Sequence, residues 1–403
     1  MFKPRIRIRY SHFIAYLVVA ALIVLSSSTF AGFKVYERLA VRRKMTEAKT
    51  RLDARDFRGA TTALMEVFRE NPQHLMACRM LGTALENLKS PEALIFRQKA
   101  VAIAIDSLDS AVELTRTALN FGNIPKAELG IQLILKNKPA DASFLPPLQA
   151  HLAMLKEDKT SAALHYAEAL QMEPANDYYR VSLAGLQVAS DDYRVRDEAR
   201  TVLNQLSSHP KYRLLALRGL VKAGIQDARE KRDFSSTYAL ADDLVTDKNS
   251  AFDDRLLRLT LLRITQDSFY KPYLAQLQKE AAKSAPALNA MIRWTVQENA
   301  AVECAAWLNA IPSKFLKKPP LAKSMVEAFL QQEKWDRVID LTMGEDWEAS
   351  DHLRLGYLAV AEAKVGRISL AETLWRESLA TTPDPESQPR MLREFAENYS
   401  WTR

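Results

Sequence analysis

Residues 350–383 read SDHLRLGYLAVAEAKVGRISLAETLWRESLATTP. The stretch holds two segments with apolar residues three and four apart, divided at Gly366 and closed by Pro383. Two short amphipathic helices in 34 residues cannot bury both of their faces against each other, so the stretch implies neighbours of its own kind. The rest of the chain supplies them. After residue 43 it breaks into segments of 12–16 residues with helical apolar spacing. The clearest breaks are Asn71-Pro72, Lys138-Pro139, Glu173-Pro174, His209-Pro210 and Thr382-Pro383. Pro72 to Pro139 is 67 residues, Pro139 to Pro174 is 35 and Pro174 to Pro210 is 36. A period near 34 made of two helices marks a solenoid of helical hairpins. Composition agrees: only 11 of 403 residues are glycine, and strong helix formers dominate. A chain this long exceeds one ordinary core, which a repeat array resolves. The fold class is all-α.

The hairpins resemble tetratricopeptide repeats. That family places small residues where its two helices cross, a large residue in helix B and Pro at the end. In residues 350–383, Leu355, Leu358 and Ala359 fall at the helix A positions, Gly366 at the turn, Ala371 at the crossing, Trp375 at the large helix B position and Pro383 at the end. In 143–174, Ala162, Tyr166, Ala169 and Pro174 fall in register, and the first hairpin keeps Phe57, Ala60 and Pro72. The resemblance covers residues 43–383 loosely and three hairpins well, since few of the others keep the family's Leu-Gly pair. It implies an α-solenoid of about ten hairpins: 43–72, 73–106, 107–139, 143–174, 176–210, 211–248, 251–286, 287–312, 319–347 and 350–383. The hairpin at 287–312 is short, and Lys317-Lys318-Pro319-Pro320 after it reads as a kink or joint. The expected organisation is a basic tail at 1–12, a hydrophobic segment at 13–33, repeats at 34–318, and C-terminal repeats with a capping helix at 319–403.

Phe13 to Leu25 is an unbroken apolar run, followed by Ser26–Thr29 and then Phe30-Ala31-Gly32-Phe33. As a helix, these 21 residues span roughly 30 Å, the thickness of a bilayer core. One reading is a transmembrane signal anchor. The other is a signal peptide cleaved between Ala31 and Gly32, with Thr29-Phe30-Ala31 as the small-residue site. The apolar continuation through Phe30 and Phe33 favours the anchor. No Gly or Pro occurs from 33 to 58, so the spanning helix is expected to continue into the first repeat. Ser28 and Gly32 have small-xxx-small spacing, which alone does not establish a dimer. Basic residues flank both sides, and a long domain translocates regardless of charge. The expectation is a single-pass inner-membrane protein with its repeats outside the cytoplasm, in a periplasm-like space.

The formal charge is +7, but residues 1–51 carry a net +9 and the remainder a net −2. The basic excess therefore suits anionic lipid headgroups better than a phosphate-tracking groove, and no nucleic-acid partner is expected. No glycine-rich phosphate loop, HExxH or GxSxG pattern occurs, and neither an enzymatic role nor a cofactor is expected. His151 and His165 lie on the two helices of one hairpin without a third metal ligand. Among the acidic doublets, Asp191 and Asp253 stand at helix starts and are expected to cap them. Cys78 and Cys304 read as small buried hydrophobes, and Trp294, Trp307, Trp335, Trp347 and Trp375 mostly as core.

The A helices of such an array line one face. The family register places Arg79, Thr83 and Asn87 on that face, then Arg116 and Asn120, then His151. This polar, mildly basic stripe is expected to take an extended or helical peptide of a protein partner. The Lys/Asn set by which some family members clamp a C-terminal carboxylate is not present. The functional expectation is a non-enzymatic, membrane-anchored scaffold for protein–protein interaction at the cell envelope. The alternatives are an exported binding subunit after cleavage near Ala31, a helical-repeat RNA binder, or a repeat-containing enzyme.

Overall fold

The computed structural model describes residues 39–137, 142–344 and 346–382, together with Gln388 and Phe395. The segment 13–33 and most of the expected capping helix at 387–400 lie outside these residues. No helix of the described residues is long and apolar enough to cross a membrane.

Helices follow one another in pairs, and the described residues contain no strand. α1 (39–53) precedes α2 (Phe57–Glu70). Then come α3 (Leu75–Asn87) with α4 (Ala93–Ile103), α5 (Leu108–Asn120) with α6 (Ile124–Lys136), and α7 (Leu145–Leu155) with α8 (Lys159–Met172). α9 (Asp177–Gln187) precedes α10 (Tyr193–Leu206), and α11 (Arg213–Arg229) precedes α12 (Thr237–Thr246). α13 (Phe252–Ile264) pairs with α14 (Tyr270–Ala281), and α15 (Ala285–Gln297) with the five-residue α16 (Ala305–Asn309). α17 (Leu321–Gln331) with α18 (Trp335–Thr342), and α19 (Asp351–Lys364) with α20 (Ile368–Ala380), complete ten hairpins. The chain forms two compact units, one ending at Tyr179 and the other beginning at Arg180, inside α9. In the second, one core cluster runs from Leu256 through Leu316 and Leu321 to Phe395.

The turn inside each hairpin shows why the period exists. Arg55, Lys89, Gly122, Glu157, Lys231, Gln266, Asn299, Glu333 and Gly366 all have positive φ. Neighbours in this series stand 33 to 35 residues apart, except for one step of 74 between Glu157 and Lys231. Behind each, the next residue's N–H returns to a carbonyl five residues back, as in Asp56 N to Arg51 O at 2.8 Å and Arg367 N to Glu362 O at 2.9 Å. This is a Schellman closure, which satisfies carbonyls that the ending helix leaves open. The following residue often caps the next helix: the side chains of Asp56, Asn123 and Asp158 accept from Gly59, Lys126 and Ser161 N–H groups. Seven of these nine turn residues are not glycine. A left-handed residue with a Cβ costs about 1–2 kcal/mol. Burying one leucine such as Leu81 or Leu114, both fully buried, returns about 2–3 kcal/mol. Core burial therefore outweighs turn strain.

Close helix approach supplies that burial. Ala60, Ala127, Ala162 and Ala371 each follow the turn residue by five positions and are fully buried. Gly130 of α6 packs so near α5 that a Cβ would collide with Thr115 Oγ1. Consecutive A helices also meet: α5 packs on α7, α11 on α13, α13 on α15 and α15 on α17. Cys78 and Cys304 are buried free thiols, and burial pushes the Cys304 thiol up to about 11. Trp294 and Trp347 are buried, while Trp307, Trp335 and Trp375 are partly buried against the same core.

The capping expectation for the acidic doublets is corrected by one residue. Asp192, not Asp191, accepts from Arg194 N at 2.9 Å, and Asp254, not Asp253, accepts from Ala251 N at 2.8 Å. Asp192 caps from the position before its helix and reaches forward, whereas Asp254 folds back from the first turn onto the helix start.

Two expectations follow. Lys89→Gly relieves left-handed strain against a smaller entropic loss and should raise the urea midpoint by an amount equivalent to about 0.5–1 kcal/mol, whereas Gly122→Ala should lower it by about 1 kcal/mol; unchanged midpoints in both would contradict the turn assignment. The second concerns pH. Arg354 binds Asp351, which also accepts from Trp347 N at 3.0 Å, and holds its carboxyl at about 2 against the ordinary 3.8. A depressed carboxylate stabilises the fold above its unfolded pKa, and that contribution disappears as pH falls through the folded value. The stability gap between the native chain and Asp351→Asn should thus be full at neutral pH and shrink between pH 3.8 and 2.

Candidate functional site

The sequence-predicted face lies on α3, α5 and α7, all in the first compact unit. Thr83, Arg116 and His151 each stand six residues before their positive-φ turn residue, and Asn87 and Asn120 each stand two before. The register is therefore shared along the three helices.

Most of the face is occupied by its own bonds, centred on Arg97 of α4. This side chain is 4% exposed and passes between α3 and α5. Its Nε donates to Thr117 Oγ1 at 3.1 Å. Nη1 donates to Arg79 O at 3.0 Å and to Glu113 Oε2 at 2.6 Å. Nη2 donates to Thr83 Oγ1 at 3.2 Å and to Glu86 Oε2 at 3.3 Å. Gly82 makes the passage possible, since a Cβ there would stand 2.7 Å from Arg97 Nε. Arg79 donates to both Glu113 oxygens, from Nε at 3.0 and 3.1 Å and from Nη2 at 2.5 Å, and Glu113 raises its pKa further. Glu86 also accepts from Thr117 Oγ1 at 2.9 Å and Asn120 Nδ2 at 2.7 Å. Asn87 Nδ2 donates to Thr83 O at 2.9 Å. Two guanidinium groups and two carboxylates thus neutralise one another in a site largely screened from water, where such pairs are charge-assisted and strong.

Of the six predicted residues, Arg79, Thr83, Asn87 and Asn120 have hydrogen bonds within this network. Arg116 and His151 stand outside it. Arg116 is exposed. His151 is half-buried, and burial lowers its pKa below the ordinary histidine value. His165 binds Glu168 at 2.9 Å instead of meeting His151, and no group of metal-ligating side chains occurs among the described residues.

Sequence reasoning missed Arg97, Glu86 and Glu113. A signal existed. Arg97 lies on the apolar face of α4 with Leu94 and Val101, three behind and four ahead, and Glu113 follows Arg79 by one period of 34 residues.

Repeat-spaced side-chain bonds continue in the second compact unit. Arg218 binds Asp254 through two bonds of 2.6 and 2.9 Å, 36 residues on. Trp294 Nε1 donates to Thr260 Oγ1 at 2.8 Å, 34 residues back, and Ser324 Oγ donates to Asn289 Oδ1 at 2.9 Å, 35 back. Tyr357 OH donates to Glu327 Oε1 at 2.8 Å.

This repeated hairpin geometry is tetratricopeptide-like. No family model matches the chain, and no curated protein matches it. Among solved structures it is similar to Naa15/Naa10 bound to HypK-THB, at 15% identity over 89% of this chain, with a TM-score of 0.29. The match spans 58% of that chain. It is also similar to the TPR domain of P58(IPK), at 16% identity over 90% of this chain and 99% of that one, with a TM-score of 0.24.

Removing Arg97 takes from Glu86 and Glu113 the cation they share and leaves Glu113 with Arg79 alone. Arg97→Ala should destabilise the chain by about 2–4 kcal/mol, and Arg97→Met, which fills the passage, by distinctly less once combined with Glu113→Gln. A triple comparison by urea unfolding checks this. Equal losses in the single and paired variants would show that packing, and not charge, holds the site.

Proposed function

We propose that the chain is a non-enzymatic scaffold, anchored in a membrane by residues 13–33, whose A-helix face receives protein partners at a cell envelope. The observation that carries this reading is the row of register-equivalent positions along α3, α5 and α7. A surface repeated at a fixed rise suits an extended or helical segment, which can meet several hairpins at once. The apolar run 13–25 and its basic flanks support the anchor, and the long domain that follows, which translocates regardless of charge, supports an extracytoplasmic, periplasm-like location for the repeats. The second reading, an exported binding subunit without an anchor, is favoured by the small residues at Thr29-Phe30-Ala31.

Two measurements test the proposal. Alkaline extraction with mass spectrometry of the mature N-terminus should leave the chain in the membrane with its first segment intact, and a start at Gly32 would replace the anchor by the exported form. A photo-crosslinking residue at Thr83 or His151 should capture protein in native membranes. The same probe at Leu129, exposed on α6, should capture far less; equal capture from both would remove the A-helix face as the docking surface.

A further inference from the structure

A recess of about 640 Å³ opens in the second compact unit, where the turn between α13 and α14 meets the segment before α16. Small-molecule sites occupy about 300–1,000 Å³. Arg263 lines it from the end of α13, Gln266, Asp267 and Ser268 from the turn, and Lys271 from the start of α14. Glu303 lines it from the following hairpin. Positive φ at Gln266 turns the chain back, and Asp267 Oδ1 accepts from Phe269 N at 2.8 Å to open α14. Arg263 Nε donates to Glu303 Oε2 at 3.2 Å and its Nη1 to Glu298 O at 2.7 Å, which fixes the second wall against the first. Tyr270, buried in the core cluster, anchors the start of α14.

The recess is rich in hydrogen-bonding groups but carries no excess of charge. Arg263 is paired with Glu303, and Lys271 is balanced by Asp267. Gln266, Ser268 and Lys271 are exposed, and among the described residues their side chains make no hydrogen bond or ion pair. The Gln266 amide and the Ser268 hydroxyl both donate and accept, Lys271 only donates, and Asp267 only accepts. Apolar surface accompanies both walls. Phe269, between Ser268 and Tyr270, is 70% exposed, the highest value among the large apolar side chains of the described residues. Val302, next to Glu303, is 67% exposed.

We propose that this recess binds an uncharged sugar unit of an oligosaccharide, with its hydroxyls on Gln266, Asp267, Ser268 and Lys271 and a C–H face on Phe269. Charge balance selects this occupant. A phosphate or carboxylate ligand needs a surplus of cations, and a cationic ligand a surplus of carboxylates; the recess has neither. A sugar hydroxyl donates and accepts at once, so it satisfies donors and acceptors side by side. The carbon face of the ring is apolar and covers surface that Phe269 otherwise leaves to water. The sugar can be free or part of an envelope polysaccharide, and the chemistry at the recess is the same. This site lies in the second compact unit, so it stands or falls apart from the A-helix face.

The test is binding of the full chain to an array of immobilised oligosaccharides built from uncharged hexoses and N-acetylhexosamines, beside carboxylated and phosphorylated ones. The native chain should bind members of the uncharged set. The double variant Gln266→Ala with Ser268→Ala should weaken the best of them about tenfold, as for loss of two neutral hydrogen bonds, and Phe269→Ala roughly fivefold. Leu164→Ala, which removes an exposed apolar side chain in the other unit, should leave binding unchanged. Gln266, Ser268 and Phe269 are exposed, so thermal unfolding of these variants should match the native chain. Titration with the selected sugar as a free disaccharide and as a longer oligomer separates the two sources: equal affinity marks a free sugar, and affinity rising with length a polysaccharide. Preference for the charged sugars, binding that survives both recess variants, or binding to no sugar on the array would each overturn the site.

Discussion

Side-chain bonds between consecutive A helices, one repeat apart, are the contact on which the array depends. Backbone hydrogen bonds in an all-helical chain close within each helix or its turn, so they join nothing beyond a hairpin. Hairpin-to-hairpin cohesion falls to side chains. Apolar burial supplies most of the energy, as in the cluster from Leu256 to Phe395, but it is non-directional and tolerates sliding. The polar pairs remove that freedom. Arg218 can meet both oxygens of Asp254, and Trp294 can reach Thr260, only when the helices stand at one height. A displacement by one turn, about 5.4 Å, would break all such pairs together.

The two compact units set this register with different chemistry. The first uses a four-charge network around Arg97, threaded past Gly82. The second adds neutral donors, Trp294 and Ser324, to ion pairs such as Arg218–Asp254. A mostly buried guanidinium loses hydration, and only several partners at good distances offset that loss. Arg97 has five donor contacts to four side chains and one carbonyl. The same saturation removes Arg79, Thr83 and Asn120 from the pool of groups that a partner could engage without cost.

Hairpin number and crossing residues were legible in the sequence because both are local. Ala60, Ala162 and Ala371 are small where helices must approach, and all three are fully buried. Prolines mark hairpin ends for an equally local reason. The turns inside the hairpins were harder to read, because Arg55, Lys89, Glu157 and Gln266 occupy backbone positions that glycine usually announces. Packing on either side holds those conformations, and packing is not visible in residue type. Register alone made one offset legible, since Thr83, Arg116 and His151 share one place in their hairpins. Their partners were not legible. A stripe of polar residues reads as available surface until the cation from the other helix, here Arg97, is placed among them.

That distinction governs what such a face can recognise. A polar residue already bonded within the array offers a partner only the difference between two hydrogen bonds, which is small. A group with no internal partner offers the whole interaction, less its hydration. Selectivity on a repeat surface thus follows from which side chains the array leaves unbonded, more than from which residues line it. On α3, α5 and α7 the lining is broad, but among the described residues the exposed Arg116 has no hydrogen bond or ion pair. Glu86 and Glu113 neutralise the α3–α5 cations internally, which keeps that part of the face from being basic.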